Sequence, residues 1–107
     1  MQRIPLGKAT DWREGEGRQV KLVPGTTAYV FRYRGQMRAF LNRCPHMGGP
    51  IELEGGQCVC RWHDATFDPT TGVRLDGSSA PLQTLTILEE GEELILLWNR
   101  PVDPFAL

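Results

Sequence analysis

The stretch that decides the fold reads Cys44-Pro45-His46-Met47-Gly48-Gly49-Pro50 and continues, after a gap, with Cys60-Arg61-Trp62-His63. The chain has two histidines and three cysteines, and both histidines and two of the cysteines lie in this stretch. Thiolate and imidazole are main ligands of transition metals in proteins. Because both residue types are scarce elsewhere in the chain, the pattern predicts a metal site made of Cys44, His46, Cys60 and His63.

The spacing of these residues narrows the kind of metal site. A structural zinc site also takes two Cys and two His, but its usual arms are Cys-Cys and His-His pairs. Here each arm is mixed, Cys-x-His and then Cys-x-x-His. Mixed arms suit a two-iron cluster, in which Cys44 and Cys60 bind one iron while His46 and His63 bind the other. That is the ligand set of a Rieske 2Fe–2S centre.

The chain resembles the Rieske iron–sulfur domain family, and within it the soluble, low-potential ferredoxins, from about residue 18 to residue 98. The specific motifs are the two Cys/His boxes and the Phe67-Asp68-x-x-x-Gly72 segment that follows them. The resemblance implies one Rieske-type 2Fe–2S cluster per chain and an all-β domain of small antiparallel sheets, with the cluster-binding loops at one end. We expect residues 1–107 to form a single domain whose cluster-binding part spans about residues 42–82.

The second box departs from the usual family pattern. Thirteen residues separate His46 from Cys60, fewer than we expect for the family. The family pattern Cys-Pro-x-His-Gly is replaced at its proline and its final glycine by Arg61 and Asp64. A glycine after the histidine indicates a backbone with positive φ, which Asp tolerates better than most residues. All four ligands are present, so the departures concern the shape of the loop and not the cluster.

The resemblance also implies a redox class. High-potential members carry an extra cysteine in each box, joined in a disulfide, and the corresponding places here are Gly49 and Trp62. Those members also donate hydrogen bonds from a serine and a tyrosine, whose counterparts Ala65 and Phe67 have no side-chain donor. Fewer donors stabilise the added electron less. We therefore expect a reduction potential near the lower end of the Rieske range of about −150 to +300 mV.

Other residues are expected around the cluster. The resemblance places six of them in the surrounding shell: Met47, Gly48, Trp62, Ala65, Phe67 and Pro81, the last as the remnant of a proline loop that covers the cluster. Trp62 either shields the cluster from water or lies on a docking face. Arg43 and Arg61 either steer an acidic partner or are solvated surface charges. Cys58 has no histidine three residues later, so we expect it to be a packing residue.

Composition excludes several classes of protein. The 107 residues include 12 basic and 13 acidic side chains, a net charge of −1, which gives no indication of nucleic-acid binding. The chain has no apolar run long enough to span a membrane, and Met1–Thr10 lacks a signal-peptide core. Three cysteines, one of them unmatched, fit a reducing compartment. We therefore expect a cytoplasmic protein that does not associate with a membrane.

The rest of the chain is predicted to form an all-β domain with about nine or ten short strands in total. We expect an extended lead-in over residues 2–6 with Pro5 at a sheet edge, and Trp12 in the core. Residues 10–14 are predicted to form a helical turn capped by Thr10 or Asp11. Period-two patterns predict hairpins, which pair residues 27–33 with 37–42 and residues 82–89 with 93–98. Residues 99–107 are expected to be a packed or frayed tail, or else to dock on a partner through Phe105 and Leu107.

The resemblance implies an electron carrier and not an enzyme. The leading expectation is a ferredoxin, monomeric when free, that passes one electron from a flavin reductase to a terminal oxygenase. The alternatives are the small Rieske subunit of a nitrite-reductase-like complex and a zinc-stabilised interaction module. A mononuclear 2-His-1-carboxylate iron site is excluded because His46 and His63, the two histidines of the chain, are already assigned to the cluster.

Overall fold

A computed structural model describes residues 2–44, 49–62, 64–77 and 80–98. Within these ranges the chain forms a one-turn 3₁₀ helix, Ala9–Asp11, and nine strands: β1 Gln2–Lys8, β2 Gly17–Val23, β3 Thr26–Tyr33, β4 Gln36–Leu41, β5 Ile51–Glu54, β6 Gln57–Cys60, β7 Thr66–Phe67, β8 Thr84–Glu90 and β9 Glu93–Trp98. The all-β class is confirmed. No helix in the described ranges is long and apolar enough to cross a membrane.

The strands form two antiparallel sheets. The larger has the order β1-β9-β8-β4-β3-β2, and the smaller has the order β5-β6-β7. Both predicted hairpins are confirmed, since β3 pairs with β4 and β8 pairs with β9. Pro5 lies in β1, at an edge of the larger sheet, where a residue without an N–H is tolerated.

Strand β3 is buried on both faces and separates two hydrophobic cores. Ala28 and Val30 belong to the core that also contains Trp12 and Trp98. Tyr29 and Phe31 point the opposite way, into the core that contains the three cysteines. Because successive side chains of a strand alternate between its faces, one strand contributes to both cores. The core that contains Tyr29 and Phe31 lies between the two sheets and is called the cysteine core below.

The helical turn lies earlier than the predicted residues 10–14, and its predicted cap was wrong. The turn spans Ala9–Asp11, and the backbone N–H of Lys8 donates to the Asp11 carboxylate at 3.1 Å. Asp11 is therefore the last residue of the turn, and its carboxylate bonds back to Lys8, the residue that precedes the turn. Trp12 is already extended, and its indole Nε1–H donates to the carbonyl of Leu6 at 3.1 Å. The ring is buried, as predicted, and the extended backbone at Trp12 ends the helical turn.

The last hairpin begins two residues later than predicted. Leu82 is buried in the cysteine core, and its N–H donates to the carbonyl of Gly72 at 2.9 Å. These contacts hold Leu82 against a loop, and β8 begins only at Thr84. The predicted tail, residues 99–107, lies outside the described residues.

Replacement of Trp12 tests the core that lacks cysteines. Trp12→Ala removes a buried ring and should lower the free energy of unfolding by about 3–5 kcal/mol. Trp12→Phe keeps most of the apolar contact and loses the hydrogen bond to Leu6, so a loss of about 1 kcal/mol is expected. Urea denaturation followed by circular dichroism measures both. Equal losses in the two variants would contradict the buried position of the ring.

Candidate metal centre

Cys44 and Cys60 make the same kind of backbone hydrogen bond. The backbone N–H of Cys44 donates to the carbonyl of Gly49 at 2.8 Å, and the N–H of Cys60 donates to the carbonyl of Ala65 at 2.8 Å. Each loop therefore starts at a cysteine and is closed by a bond to the carbonyl five residues later. This repeat was not predicted from the sequence, although the two six-residue windows that start at Cys44 and Cys60 could have indicated it.

The two loops are also joined to each other. The N–H of Arg61 donates to the carbonyl of Pro50 at 3.0 Å. Gly49 lies against the second loop, because a Cβ atom placed on it would be 2.9 Å from the Sγ atom of Cys60. A side chain at position 49 would fill the space beside this thiol. The pair of loops therefore requires glycine at that position.

The predicted cysteine ligands lie together in the cysteine core. Cys44 and Cys60 are 1% and 0% exposed, and Ala65 and Phe67, both expected in the surrounding shell, are fully buried in the same core. The structure thus brings these four together. The predicted ligands His46 and His63 lie outside the described residues, as do Met47 and Gly48 of the expected shell.

The unusual residue after the second box behaves as the sequence predicted. Asp64 has φ of +58°, in the left-handed region, and its N–H donates to the carbonyl of Cys60 at 2.9 Å. Asp is one of the few non-glycine residues that enters this region readily. The prediction of a positive φ at Asp64 is confirmed.

Trp62 lies over Gly49 and faces solvent. A Cβ atom on Gly49 would be 2.8 Å from the Cγ and Cδ2 atoms of the indole, yet Trp62 is 65% exposed. Gly49 and Trp62, which correspond to the two disulfide cysteines expected in high-potential relatives, are therefore in contact here. Because most of the ring faces solvent, the docking alternative fits Trp62 better than the shielding alternative does.

Pro81 is exposed, and it is the next residue, Leu82, that packs in the cysteine core. The covering role predicted for Pro81 stays a prediction. The sequence analysis did not identify Leu82, because one apolar residue in a loop has no periodicity to mark it.

Asn42 is a site-positioning residue that the sequence analysis missed. It follows β4, and its Nδ2–H donates to Thr27 Oγ1 at 3.0 Å while its Oδ1 accepts the N–H of Ile51 at 2.7 Å. Its own N–H donates to the Thr27 carbonyl at 2.9 Å. One side chain thus fixes the entry of the first loop to its exit and to β3. An Asn just after a strand was the available signal, since such side chains often satisfy nearby backbone groups.

Cys58 is a packing residue, as predicted. It is fully buried in β6, opposite Leu53 of β5 and Phe67 of β7. Burial, with a smaller contribution from the charge of Asp68, raises the pKa of the Cys58 thiol to about 12. A protonated thiol is a poor metal ligand and nucleophile.

The two arginines beside the boxes differ in their surroundings. Arg61 forms ion pairs with Glu52 at 3.5 Å and Glu54 at 2.8 Å, so its charge is largely compensated. Arg43 is exposed, and no carboxylate of the described residues forms an ion pair with it. Of the two, Arg43 is the cation open to a partner.

The described part of the site fits an iron–sulfur cluster with two cysteine ligands. It offers two buried thiols in one core, and the residue beside the Cys60 thiol is a glycine, Gly49. The sequence model of a protein family, the Rieske [2Fe-2S] domain, matches residues 2–86. The chain belongs to the Rieske [2Fe-2S] domain family. Its cofactor is accordingly a 2Fe–2S cluster, and the resemblance drawn from the two boxes is confirmed.

A human relative supports the Rieske assignment. The human "Rieske domain-containing protein" is 31% identical over an alignment of 85 residues, and the match covers 73% of this chain and 54% of that protein. The chain thus spans about half the length of this curated relative.

Solved Rieske structures share the fold. A chain in the complex of reduced oxygenase and oxidized ferredoxin of carbazole 1,9a-dioxygenase matches with a TM-score of 0.79 and 21% identity, over 94% of this chain and 97% of that one. The ferredoxin of carbazole 1,9a-dioxygenase from Nocardioides aromaticivorans IC177 matches with a TM-score of 0.65 and 22% identity, over 87% and 96% of the two chains. These matches confirm the Rieske-like architecture.

Cysteine variants test the assignment of ligands. If Cys44 and Cys60 are the two thiolate ligands of one iron, Cys44→Ala and Cys60→Ala should each abolish cluster binding. Cys58→Ala should keep a full complement of iron and sulfide and lose about 1 kcal/mol of stability. Iron and acid-labile sulfide analysis, with the visible absorption spectrum, measures the difference. If Cys58→Ala lost the cluster while Cys44→Ala and Cys60→Ala kept it, the assignment of Cys44 and Cys60 as ligands would be wrong.

Proposed function

We propose that this protein is an electron carrier that takes one electron from a flavin reductase and gives that electron to a terminal oxygenase. The observation that carries the proposal is the pair of matched, hydrogen-bonded loops that bury Cys44 and Cys60 in one core. The match to ferredoxins of carbazole dioxygenase systems supports an oxygenase as the acceptor. When bound, the cluster supplies the site at which one electron is accepted and released.

We further propose that Cys44 and Cys60 hold one iron and that His46 and His63 hold the other. The role of the chain is to keep these ligands in place while the charge of the site changes by one. The bonds from Cys44 to Gly49 and from Cys60 to Ala65 fix both cysteine backbones. Rigid, buried ligands need little rearrangement when an electron arrives or leaves, which favours fast transfer.

A groove beside the site provides a surface for the partner. It has a volume of about 430 Å³ and lies between the β2–β3 turn, the end of β4 and the second box, with Thr27, Arg43 and Trp62 among its lining residues. An exposed indole and an uncompensated cation in the lining of one groove suit a partner surface with an apolar patch and carboxylates, because aromatic residues and arginine are enriched at interfaces.

We also propose that residues 1–107 form a single domain, with the cluster-binding part at about residues 42–82. In support of this, β1 from the start of the chain pairs with β9, and β9 pairs with β8 next to the β4 strand that leads to Cys44.

The function is tested by electron exchange with purified components. The protein is isolated with its cluster and reduced by dithionite for an EPR spectrum, and its reduction by a flavin-dependent reductase and oxidation by a ring-hydroxylating oxygenase are followed in a stopped-flow instrument. We expect second-order kinetics both for reduction by the reductase and for oxidation by the oxygenase. A loaded protein that exchanges with neither component, or one that elutes from a gel-filtration column only as part of a larger reductase, would contradict the free-carrier proposal.

Arg43→Glu tests the docking surface. Reversal of this exposed charge should slow electron transfer to an acidic partner severalfold at low ionic strength, because charged groups steer association. The effect should shrink as salt is added, since screening shortens the range of the interaction. Second-order rate constants at several salt concentrations measure it.

Lys8→Glu is the matched control for Arg43→Glu. It makes the same change in net charge, but Lys8 pairs with Glu93 at the hairpin end of β9. The site lies beyond the opposite end of β8, where Thr84 pairs with Phe40 shortly before the first box. A rate reduction as large in Lys8→Glu as in Arg43→Glu would show that net charge, and not the groove, controls the rate.

A further inference from the structure

The peptide group between Ala65 and Thr66 is hydrogen-bonded on both sides. Its carbonyl accepts the backbone N–H of Cys60 at 2.8 Å. Its N–H donates to Oδ1 of Asp76 at 3.1 Å. One peptide unit therefore connects the Asp76 carboxylate with the backbone of Cys60. Asp76 lies outside both boxes, and neither the ligand set nor the docking surface accounts for it.

The Asp76 carboxylate is held in this position by Arg74. The same Oδ1 atom accepts the Nε–H of Arg74 at 3.0 Å, and the Arg74 side chain is only 19% exposed. Gly77 packs over the guanidinium, since a Cβ atom placed on Gly77 would be 3.4 Å from its Cζ and Nε atoms. The hydrogen bonds from Arg74 and Thr66 lower the pKa of Asp76. The carboxylate is therefore ionised at neutral pH.

The backbone also fixes this arrangement. Arg74 forms a β-bridge with Phe67, and the N–H of Leu75 donates to the carbonyl of Thr66 at 2.8 Å. Thr66 thus receives a main-chain contact from Leu75 and a side-chain contact from Asp76. Arg74 thus forms an isolated bridge beside β7, and the Asp76 carboxylate bonds to the backbone of Thr66, directly after the second loop.

We propose that Asp76 and Arg74 are positioning residues that set the reduction potential of the cluster through the Ala65–Thr66 peptide and the backbone of Cys60. The inference rests on the proposed assignment of Cys60 as an iron ligand. Hydrogen bonds in series polarise one another. A carboxylate that accepts the Thr66 N–H makes the Ala65 carbonyl a stronger acceptor for the Cys60 N–H and brings negative charge toward the thiolate. Arg74 offsets part of that charge.

The proposal predicts shifts of opposite sign. Asp76→Asn removes a negative charge and leaves Arg74 uncompensated, so reduction should become easier. Arg74→Gln leaves the carboxylate uncompensated, so reduction should become harder. We expect each equilibrium constant for one-electron reduction to change by at least about threefold, which is about 28 mV at 59 mV per tenfold change. Asp76→Glu, which keeps the charge, should stay closer to the wild-type potential than Asp76→Asn does.

Asp68→Asn is the matched control. Asp68 is in the same region and undergoes the same change in charge, but its Oδ1 accepts the N–H groups of Thr70 and Thr71 within its own turn, at 2.7 and 3.1 Å. Its shift should be less than half of that of Asp76→Asn. Potentials are measured by redox titration of the loaded proteins, with EPR of each reduced variant to establish that the cluster is intact.

Shifts of the same sign in Asp76→Asn and Arg74→Gln would overturn the proposal, because they would indicate only a loosened loop. An equal shift in Asp68→Asn would also overturn it. If Asp76→Asn does not retain the cluster, the two Arg74 variants test the proposal instead. Arg74→Gln should then lower the reduction potential, and Arg74→Lys, which keeps the charge, should leave it close to the wild-type value. Retention of the cluster by Cys60→Ala would instead show that the ligand assignment is wrong.

Discussion

The structure depends on how two cysteine thiols are buried while the backbone around them stays hydrogen-bonded. Buried backbone N–H and C=O groups are costly unless they are paired. Each loop meets this requirement internally, because the cysteine N–H bonds to a carbonyl five residues later, at Gly49 or at Ala65. The sulfur atoms can then lie in the core at the point where Cys60 ends β6 and where Cys44 follows β4. The bond from Arg61 to Pro50 makes the two loops one unit.

Both sheets support the pair of loops. The larger sheet forms one core of its own and contributes β3 and β4 to the cysteine core, while the smaller sheet brings β6 and Cys60. The Tyr29 hydroxyl accepts the N–H of Leu53 at 3.0 Å and so fastens the smaller sheet to β3. Close packing around this ring requires glycine at position 17, where a Cβ atom would be 2.1 Å from the hydroxyl oxygen. The loops are thus supported from both sheets.

Much of the fold was predictable from the sequence, because strands and hairpins follow from local patterns. Period-two segments predicted the two hairpins, and the Cys/His spacing predicted the family and its cofactor. Asp64 shows that a single substitution in a motif can predict a backbone angle. Asn42 and Asp76 were missed because their side chains bond to backbone groups nine and ten residues away, and such contacts have no period. The helical turn was misplaced because burial of Trp12, a tertiary effect, decided where it ends.

The contact between Gly49 and Trp62 connects the stability of the site with its surface. In high-potential relatives a disulfide is expected to join these two places, whereas here the loops are joined by a backbone hydrogen bond and by the packing of an indole on a glycine. A link of this kind is insensitive to the thiols that reduce disulfides in a reducing compartment. It also requires that the ring lie outside the core, because the space beneath it is occupied by the Gly49 backbone and the Cys60 thiol. The residue that helps to close the two loops is therefore the same one that presents an exposed aromatic surface beside them.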